Sequence, residues 1–205
     1  MNSDKFLLGI AIFAISVSFI GVLFTHFTIN EYKNLKFTGF YVQEGNVSLN
    51  VLSVAAINFT VSDINWGSGQ VNDSADYAIL DTCCGGSVTD GNWSIVSQGF
   101  EIRNVGNVNV SLNLTSDDDA TTFIGGGGPL FQLNVTNIDS GACTANGITL
   151  GQYFEVTSPA TMAICNPFQF LNATDEIRID VKIKIPKDSN TGLRKTTLSA
   201  VVSSV

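Results

Sequence analysis

The 205-residue chain is 44% hydrophobic and only 14% charged, and its formal net charge is −8 at neutral pH. Between residues 37 and 177 the only basic residue is Arg103. Because non-specific binding to nucleic acid needs a basic surface, this charge balance excludes a nucleic-acid partner. An acidic surface instead keeps a protein soluble in a crowded exterior.

The first predicted element is the uncharged stretch FLLGIAIFAISVSFIGVLFT at residues 6–25. At about 1.5 Å per helical residue it covers the roughly 30 Å hydrocarbon core of a bilayer, and it has no polar face. We predict an N-terminal hydrophobic helix over residues 1–29, acting as a membrane anchor or a filament-core helix. No A-x-A-like site follows, so we expect an uncleaved anchor or a filament-type leader rather than a removed signal peptide. Residues 30–36 would be a linker, and residues 37–205 the exported domain.

Residues 37–205 alternate between apolar and polar side chains without a sustained helical period. This pattern predicts an all-β domain, an immunoglobulin-like or jelly-roll β-sandwich. The clearest strand is EIRIDVKIKIP, where Ile177 to Ile185 face inward at every second position and Arg178, Asp180, Lys182 and Lys184 face outward. The predicted strands are 47–53, 57–63, 77–81, 98–104, 108–115, 130–136, 152–156, 167–171, 176–185 and 196–203.

Eight acceptor sequences for N-glycosylation (Asn-X-Ser/Thr, here called sequons) follow the apolar stretch. In NVSLNLT at 109–115 the apolar residues face one way and the asparagines the other, and NVSLNV, INFTV and FQLNV repeat this arrangement. We interpret the pattern as an exported, glycosylated sheet surface. The alternative is that Asn, Ser and Thr are ordinary outward residues of an asparagine-rich chain. The acceptors are Asn46, Asn58, Asn72, Asn92, Asn109, Asn113, Asn134 and Asn172.

The four cysteines are Cys83, Cys84, Cys143 and Cys165. An even number in an oxidising compartment predicts disulfides, for which three pairings are open. We favour bonds from Cys83 and Cys84 to Cys143 and Cys165, because a bond between adjacent residues is strained. A zinc site is disfavoured, since adjacent cysteines serve tetrahedral coordination poorly compared with C-x-x-C pairs.

Two further motifs invite a ligand-binding interpretation, which we disfavour. The glycines at 125–128 are not followed by the Gly-Lys-Ser/Thr of a phosphate-binding loop, so we expect a flexible connection before Pro129. The acidic run at 117–119 lacks the alternating ligand spacing of a calcium loop, so we expect an exposed turn. The sequence therefore predicts neither a metal nor a cofactor.

Catalysis is also disfavoured by the sequence. The only histidine, His26, lies at the end of the apolar stretch, which leaves no imidazole for a triad in the exported domain. No G-x-S-x-G motif is present. Paired carboxylates stay open because acids are plentiful, but no pair stands out. We expect a protein that is not an enzyme.

The stretches GFEIRNVGNVNVSLNLT and IDVKIKIPKDSNTGLRKTTLSAVVSS resemble the immunoglobulin-like β-sandwich modules of archaeal cell-surface proteins. The hydrophobic segment leading into LKFTGFYVQEGNVSLNV is similar in layout to camelysin/TasA-type fibre subunits and, more loosely, to archaeal pilins. The resemblance implies a structural subunit of a pilus-like filament or surface coat, which would assemble by strand addition. It implies residues 35–43 as the donor segment, and the alternative is a first strand paired within its own domain.

A second functional hypothesis is a membrane-anchored adhesin or ligand-binding surface module. In that case the loop aromatics Trp66, Trp93 and Phe123 could form a ligand platform, although Trp66 and Trp93 also suit a core or rim position. Both hypotheses place the domain on the extracellular face of the cell membrane. The expected partners are further copies of the chain and the membrane around the N-terminal helix.

Overall fold

A computed structural model describes residues 3–32 and 47–205. The chain divides into two compact units, Met1–Asn50 and Val51–Val205. The helix α1, Ser3–Tyr32, belongs to the first unit and extends three residues into the predicted linker. The predicted start of the exported domain at residue 37 and the predicted donor segment 35–43 lie outside the described residues.

The helix α1 is apolar around its whole circumference. Within it, Phe6–Thr28 is long and apolar enough to cross a membrane by length and composition, with a mean hydropathy of 2.6. The hydroxyls of Ser16, Thr25 and Thr28 each donate to a carbonyl three or four residues earlier, at 2.7–2.8 Å. These bonds satisfy three hydroxyl groups within the helix itself, which suits an apolar environment. The predicted N-terminal hydrophobic helix is confirmed.

The second unit consists of strands, one single-turn 3₁₀ helix at Cys83–Gly85 and the short helix α2, Ala120–Phe123. The connections between strands contain the glycines and polar residues that turns require. In chain order the strands are β1 Ile57–Val61, β2 Tyr77–Asp81, β3 Ser87–Thr89, β4 Phe100–Asn104, β5 Val110–Ser116, β6 Leu130–Asn137, β7 Cys143–Ala145, β8 Tyr153–Glu155, β9 Met162–Phe168, β10 Glu176–Pro186 and β11 Leu198–Ser204.

The longest strand, β10, organises the larger of two antiparallel sheets. One edge of β10 pairs with β6, which in turn pairs with β8. Its other edge pairs with two strands placed end to end, β4 at residues 176–179 and β2 at residues 182–186. β1 pairs with the other side of β4, and β3 pairs with the other side of β2, so this sheet has seven strands. The smaller sheet has the order β11-β5-β9-β7.

Both sheets contribute to one hydrophobic core. The apolar face of β10 is buried as the alternation predicts, from Ile177 to Ile183. On the smaller sheet, Val110, Leu112 and Leu114 of β5 are fully buried, which also agrees with the alternation. The prediction of an all-β domain with two layers is confirmed. The finer assignment to an immunoglobulin-like or jelly-roll sandwich stays a prediction.

Two predicted strands differ from the structure. Residues 47–53 alternate well but belong to no strand, because alternation marks an amphipathic segment without specifying a partner. The segment predicted at 167–171 is instead the end of β9, Met162–Phe168, whose run MAICNPF lacks a clean alternation. The strands β3 and β7 were not predicted, because three residues are too few to show a period.

Candidate functional site

Most sequons lie on the accessible surface of the second unit. Asn58, Asn72, Asn92 and Asn172 are exposed, whereas Asn109 and Asn113 on or beside β5 are half-buried. Asn46 lies outside the described residues. Because transfer of a glycan needs a reachable side-chain amide, the four exposed asparagines are the best placed acceptors.

The prediction that Asn134 faces solvent is wrong. The residue is only 4% exposed, and its Oδ1 is buried with no hydrogen-bond partner in the part of the chain that the structure describes. Asn134 lies in β6, which is flanked on both sides, with Asp180 of β10 and Tyr153 of β8 as its cross-strand partners. The alternation predicted the correct face of the strand, but it could not show that Asn134 would have Asp180 and Tyr153 as neighbours on that face.

The favoured cysteine pairing is also wrong. Cys143 of β7 bonds to Cys165 of β9, and Cys83 bonds to its neighbour Cys84. The strands β7 and β9 are adjacent in the smaller sheet, which brings Cys143 and Cys165 to a Cα–Cα distance of 5.2 Å. Cys83 and Cys84 follow β2 of the larger sheet, whereas Cys143 and Cys165 lie on strands of the smaller sheet.

A polar network covers the outward face of β10, beginning at Asp81. Its Oδ1 accepts hydrogen bonds from the Tyr153 hydroxyl at 2.5 Å and from the Cys83 backbone N–H at 2.9 Å. Its Oδ2 lies 3.0 Å from Lys182 Nζ, which also lies 3.7 Å from the centroid of the Tyr153 ring. Burial, and then the hydrogen bond to Asp81, raise the pKa of Tyr153. Tyr153 therefore acts as a neutral donor to the carboxylate.

Asp180 carries the second half of this network, with only 3% of its surface exposed. Its Oδ1 accepts from Thr82 Oγ1 at 3.0 Å and from Arg178 Nε at 2.8 Å. Arg178 also donates to the carbonyl oxygens of Thr82 and Ser97, at 3.1 and 2.7 Å. The Thr82 hydroxyl in turn accepts from the Val181 backbone N–H at 2.9 Å. On this face of β10, Arg178 and Asp180 thus pair with each other, and Lys182 pairs with Asp81 of β2.

A second charged cluster lies where β4 pairs with the start of β10. Arg103 Nη2 is 2.6 Å from Glu176 Oε2, and Glu176 Oε1 accepts from the Thr60 hydroxyl at 3.0 Å. Asp175 Oδ1 is 3.5 Å from Arg103 Nε, and it has no hydrogen-bond partner among the described residues. Burial raises the pKa of Asp175, which Arg103 opposes and Asp139 reinforces. This cluster contains one well-paired acid and one poorly compensated acid.

The acidic run at 117–119 has a local structural role at Asp119. Its side chain accepts from Thr121 Oγ1 at 2.7 Å and from the Thr122 backbone N–H at 2.8 Å, which caps α2. These bonds lower the pKa of Asp119 to about 2. Within residues 3–32 and 47–205, no three His, Cys, Asp or Glu side chains converge to hold a metal ion.

The glycines at 125–128 form a specific turn instead of a loose connection. The Gly127 N–H donates to Asp188 Oδ1 at 3.0 Å, and a Cβ on Gly125 would lie 2.5 Å from the side chain of Asn190. Three of the four glycines have positive φ, which favours glycine.

The loop aromatics do not form an exposed platform. Trp66, Trp93 and Phe123 are partly buried and pack against the core. The ring of Phe123 lies 5.3 Å from that of Phe131, and Trp93 lies over Gly69 and Gly91, where a Cβ would meet its ring at 2.5–2.8 Å. The adhesin hypothesis therefore gains no support from these three positions.

No protein-family model, curated protein or solved structure matches this chain. The polar network on β10 was not found from the sequence, which placed Asp180 and Lys182 only on an outward face. The available signal was the concentration of charge in RIDVKIK, which is unusual in a chain so poor in charged residues.

Proposed function

We propose that this protein is a non-catalytic structural subunit of the cell exterior, which self-associates into a pilus-like filament or surface coat. In this proposal α1 holds the chain in the membrane or in the filament core, and the β domain forms the glycosylated outer part. The observation that carries the proposal is the open edge of β11.

Strand β11 is the longest edge strand among the residues that the structure describes. Among the strands that the structure describes, it pairs with β5 alone, in a regular register over seven residues from Leu198 to Ser204. Its sequence LSAVVSS contains no charge and no proline, which are the usual features that keep edge strands from pairing with other chains. The other edge strands are shorter: β3, β7 and β8 have three residues each, and β1 has five, with an irregular register between Phe59 and Val61. Among the described strands, β11 is therefore the best template for an added strand.

The same chain contains a segment suited to fill this edge. Residues 47–51 belong to no strand, yet Val47, Leu49 and Val51 alternate with polar residues and are 99%, 85% and 72% exposed. The next residues are held in place, because Asn107 Oδ1 accepts from the Val54 N–H at 2.6 Å and its Nδ2 donates to the Leu52 carbonyl at 2.8 Å. We infer that residues 47–51 of a second copy pair with β11.

Strand addition of this kind has suitable chemistry on both sides. The inward residues of β11, Leu198, Ala200 and Val202, pack against the core, and an added strand would extend that apolar face. Neither segment carries a charge that would oppose pairing. Main-chain hydrogen bonds would supply affinity, and the alternating apolar side chains would fix the register.

The test is self-association of the full chain with Val201→Lys, whose side chain is 55% exposed on the outer face of β11. We expect this variant to fold normally and to form no polymers in electron micrographs or sedimentation. The matched control is Thr144→Lys on β7, the opposite edge of the same sheet, which should polymerise like the wild type.

Replacing Leu49 by Asp should reproduce the defect from the other side of the contact. Normal polymers from Val201→Lys would reject β11 as the contact. Dispersed wild-type monomers in native surface fractions would reject the structural role itself.

A further inference from the structure

The Cys83–Cys84 disulfide forms a tight turn directly after β2. Cys84 has the positive φ of 61°, and the Gly86 N–H donates to the Cys83 carbonyl at 3.0 Å to close the turn. Gly85 also has a positive φ, of 97°. A non-glycine residue in this left-handed region is uncommon and needs local restraint. The bond to Cys83 supplies such a restraint at Cys84.

The two disulfides differ in access from solvent. Cys84 is exposed and Cys83 is half-buried, whereas Cys143 and Cys165 are 4% and 0% exposed. Thiol–disulfide exchange requires a thiolate to approach one sulfur of the bond, so its rate depends on access to that sulfur. In the folded protein, therefore, an attacking thiol can reach the Cys83–Cys84 disulfide but not the buried Cys143–Cys165 disulfide.

The residues before the turn are firmly held. Asp81 bonds to Tyr153 and Lys182 at 2.5 and 3.0 Å. Thr82 makes two hydrogen bonds with Val181 of β10. The Thr82 N–H donates to the Val181 carbonyl at 3.0 Å, and the Thr82 hydroxyl accepts from the Val181 N–H at 2.9 Å. Cleavage of the disulfide would therefore free residues 83–86 while leaving β2 in the sheet. The reduced cysteines would stay adjacent and ready to re-form their bond.

We propose that Cys83–Cys84 is a reversible thiol-exchange site, whose co-reactant is a dithiol and whose reduction releases the turn at residues 83–86. A thiolate of the dithiol attacks the Sγ of Cys84, the S–S bond breaks, and Cys83 leaves as a thiolate that takes up a proton. The second thiol of the reductant then attacks the mixed disulfide and releases Cys84 as a thiol. Two electrons and two protons pass from the dithiol, which becomes a disulfide. This site is independent of the proposed filament role.

The first test maps thiols in the native full-length chain in detergent, during titration with dithiothreitol and trapping with iodoacetamide. We expect Cys83 and Cys84 to be alkylated at least roughly tenfold faster than Cys143 and Cys165, because access limits the exchange rate. Removal of the reductant and addition of oxidised dithiothreitol should restore the bond. Equal reactivity of the two pairs, or a native bond from Cys83 to Cys143 or Cys165, would overturn the proposal.

The second test is hydrogen exchange of the same samples by mass spectrometry. Selective reduction should accelerate exchange in peptides covering residues 83–86 by roughly tenfold or more, because the Gly86–Cys83 hydrogen bond opens. Peptides from β5 and β9 should not change, which shows that the fold persists. The variant Cys83→Ser/Cys84→Ser should exchange fast at this turn with or without reductant. Selective cleavage without faster exchange would also overturn the proposal.

Discussion

At the scale of single residues, the cluster around Arg103 compensates two neighbouring acids unequally. Glu176 forms a 2.6 Å pair with Arg103 and a hydrogen bond to Thr60. Asp175 is more deeply buried, reaches Arg103 only at 3.5 Å and lies near Asp139. A buried carboxylate without sufficient compensation is costly in its ionised form.

This difference predicts how Asp175→Asn depends on pH. Burial raises the pKa of Asp175 in the folded protein above its value in the unfolded chain. The contribution of this shift to the free energy of unfolding is therefore fully present below the unfolded-state pKa. It is lost as the pH rises through the folded-state pKa. The variant should match or exceed the wild type at neutral pH, by up to about 1 kcal/mol, since a neutral amide avoids the cost of ionisation. This advantage should vanish below about pH 4, near the ordinary pKa of aspartate.

The matched control for this prediction is Glu176→Gln, which weakens the pair with Arg103. It should lower the free energy of unfolding at neutral pH by about 1–2 kcal/mol, as expected for a charged hydrogen bond. Urea unfolding across the pH range measures both variants. A loss of stability in Asp175→Asn at neutral pH would contradict the assignment of Asp175 as the uncompensated acid.

Asn134 shows why sequence alone could not locate every surface residue. Its sequon lies on the correct face of β6, opposite the buried Leu133 and Val135. Whether that face is open depends on β8 and β10, which come from residues far along the chain. Asn58, in the edge strand β1, has the same local pattern and is exposed. Alternation therefore predicts the face, and the position of the strand in the sheet decides its accessibility.

At the scale of elements, most strands could be predicted because each carries its own apolar face. The alternation located β2, β6 and β10 closely, and it assigned the inward residues of β5 and β10 correctly. The partners of each strand could not be predicted, because pairing depends on long-range contacts. The same reason explains the disulfide error, since Cys143 and Cys165 meet only when β7 lies beside β9.

The two disulfides should differ strongly in their contribution to stability. Cys143–Cys165 closes a loop between residues separated by 22 positions, whereas Cys83–Cys84 joins neighbours. By the chain-entropy model, Cys143→Ser/Cys165→Ser should lower the free energy of unfolding by roughly 3 kcal/mol. Cys83→Ser/Cys84→Ser is the matched control. It should lower the free energy of unfolding far less, because the disulfide that it removes closes almost no loop. Urea unfolding followed by tryptophan fluorescence measures both. Equal losses would contradict this ranking.

At the scale of the whole molecule, the proposed role of α1 as an anchor can be tested directly. Its exposed apolar surface, including Ile15 and Phe19, is much larger than a soluble protein normally presents to water. We expect full-length protein to stay in the membrane fraction after alkaline carbonate extraction. Ile15→Lys/Phe19→Lys should abolish this retention, because a lysine at the centre of a spanning helix costs about 2.5–3.5 kcal/mol.

The matched control for the lysine variant is Ile15→Leu/Phe19→Leu, which keeps the helix apolar and should be retained like the wild type. Release of the wild-type chain by carbonate would contradict a spanning role for α1. Polymers collected from the medium should be examined separately, since a filament core would shield the same helix.

The position of β10 in the chain has a consequence for secretion. Among the described strands, β2, β4 and β6 do not pair with one another, and each pairs with β10. β10 comes late in the chain, at Glu176–Pro186. If the chain crosses the membrane from its N-terminal end, the earlier strands emerge long before the element that unites them. Vectorial transport would thus deliver an incomplete sheet, and its closure would wait for the emergence of β10.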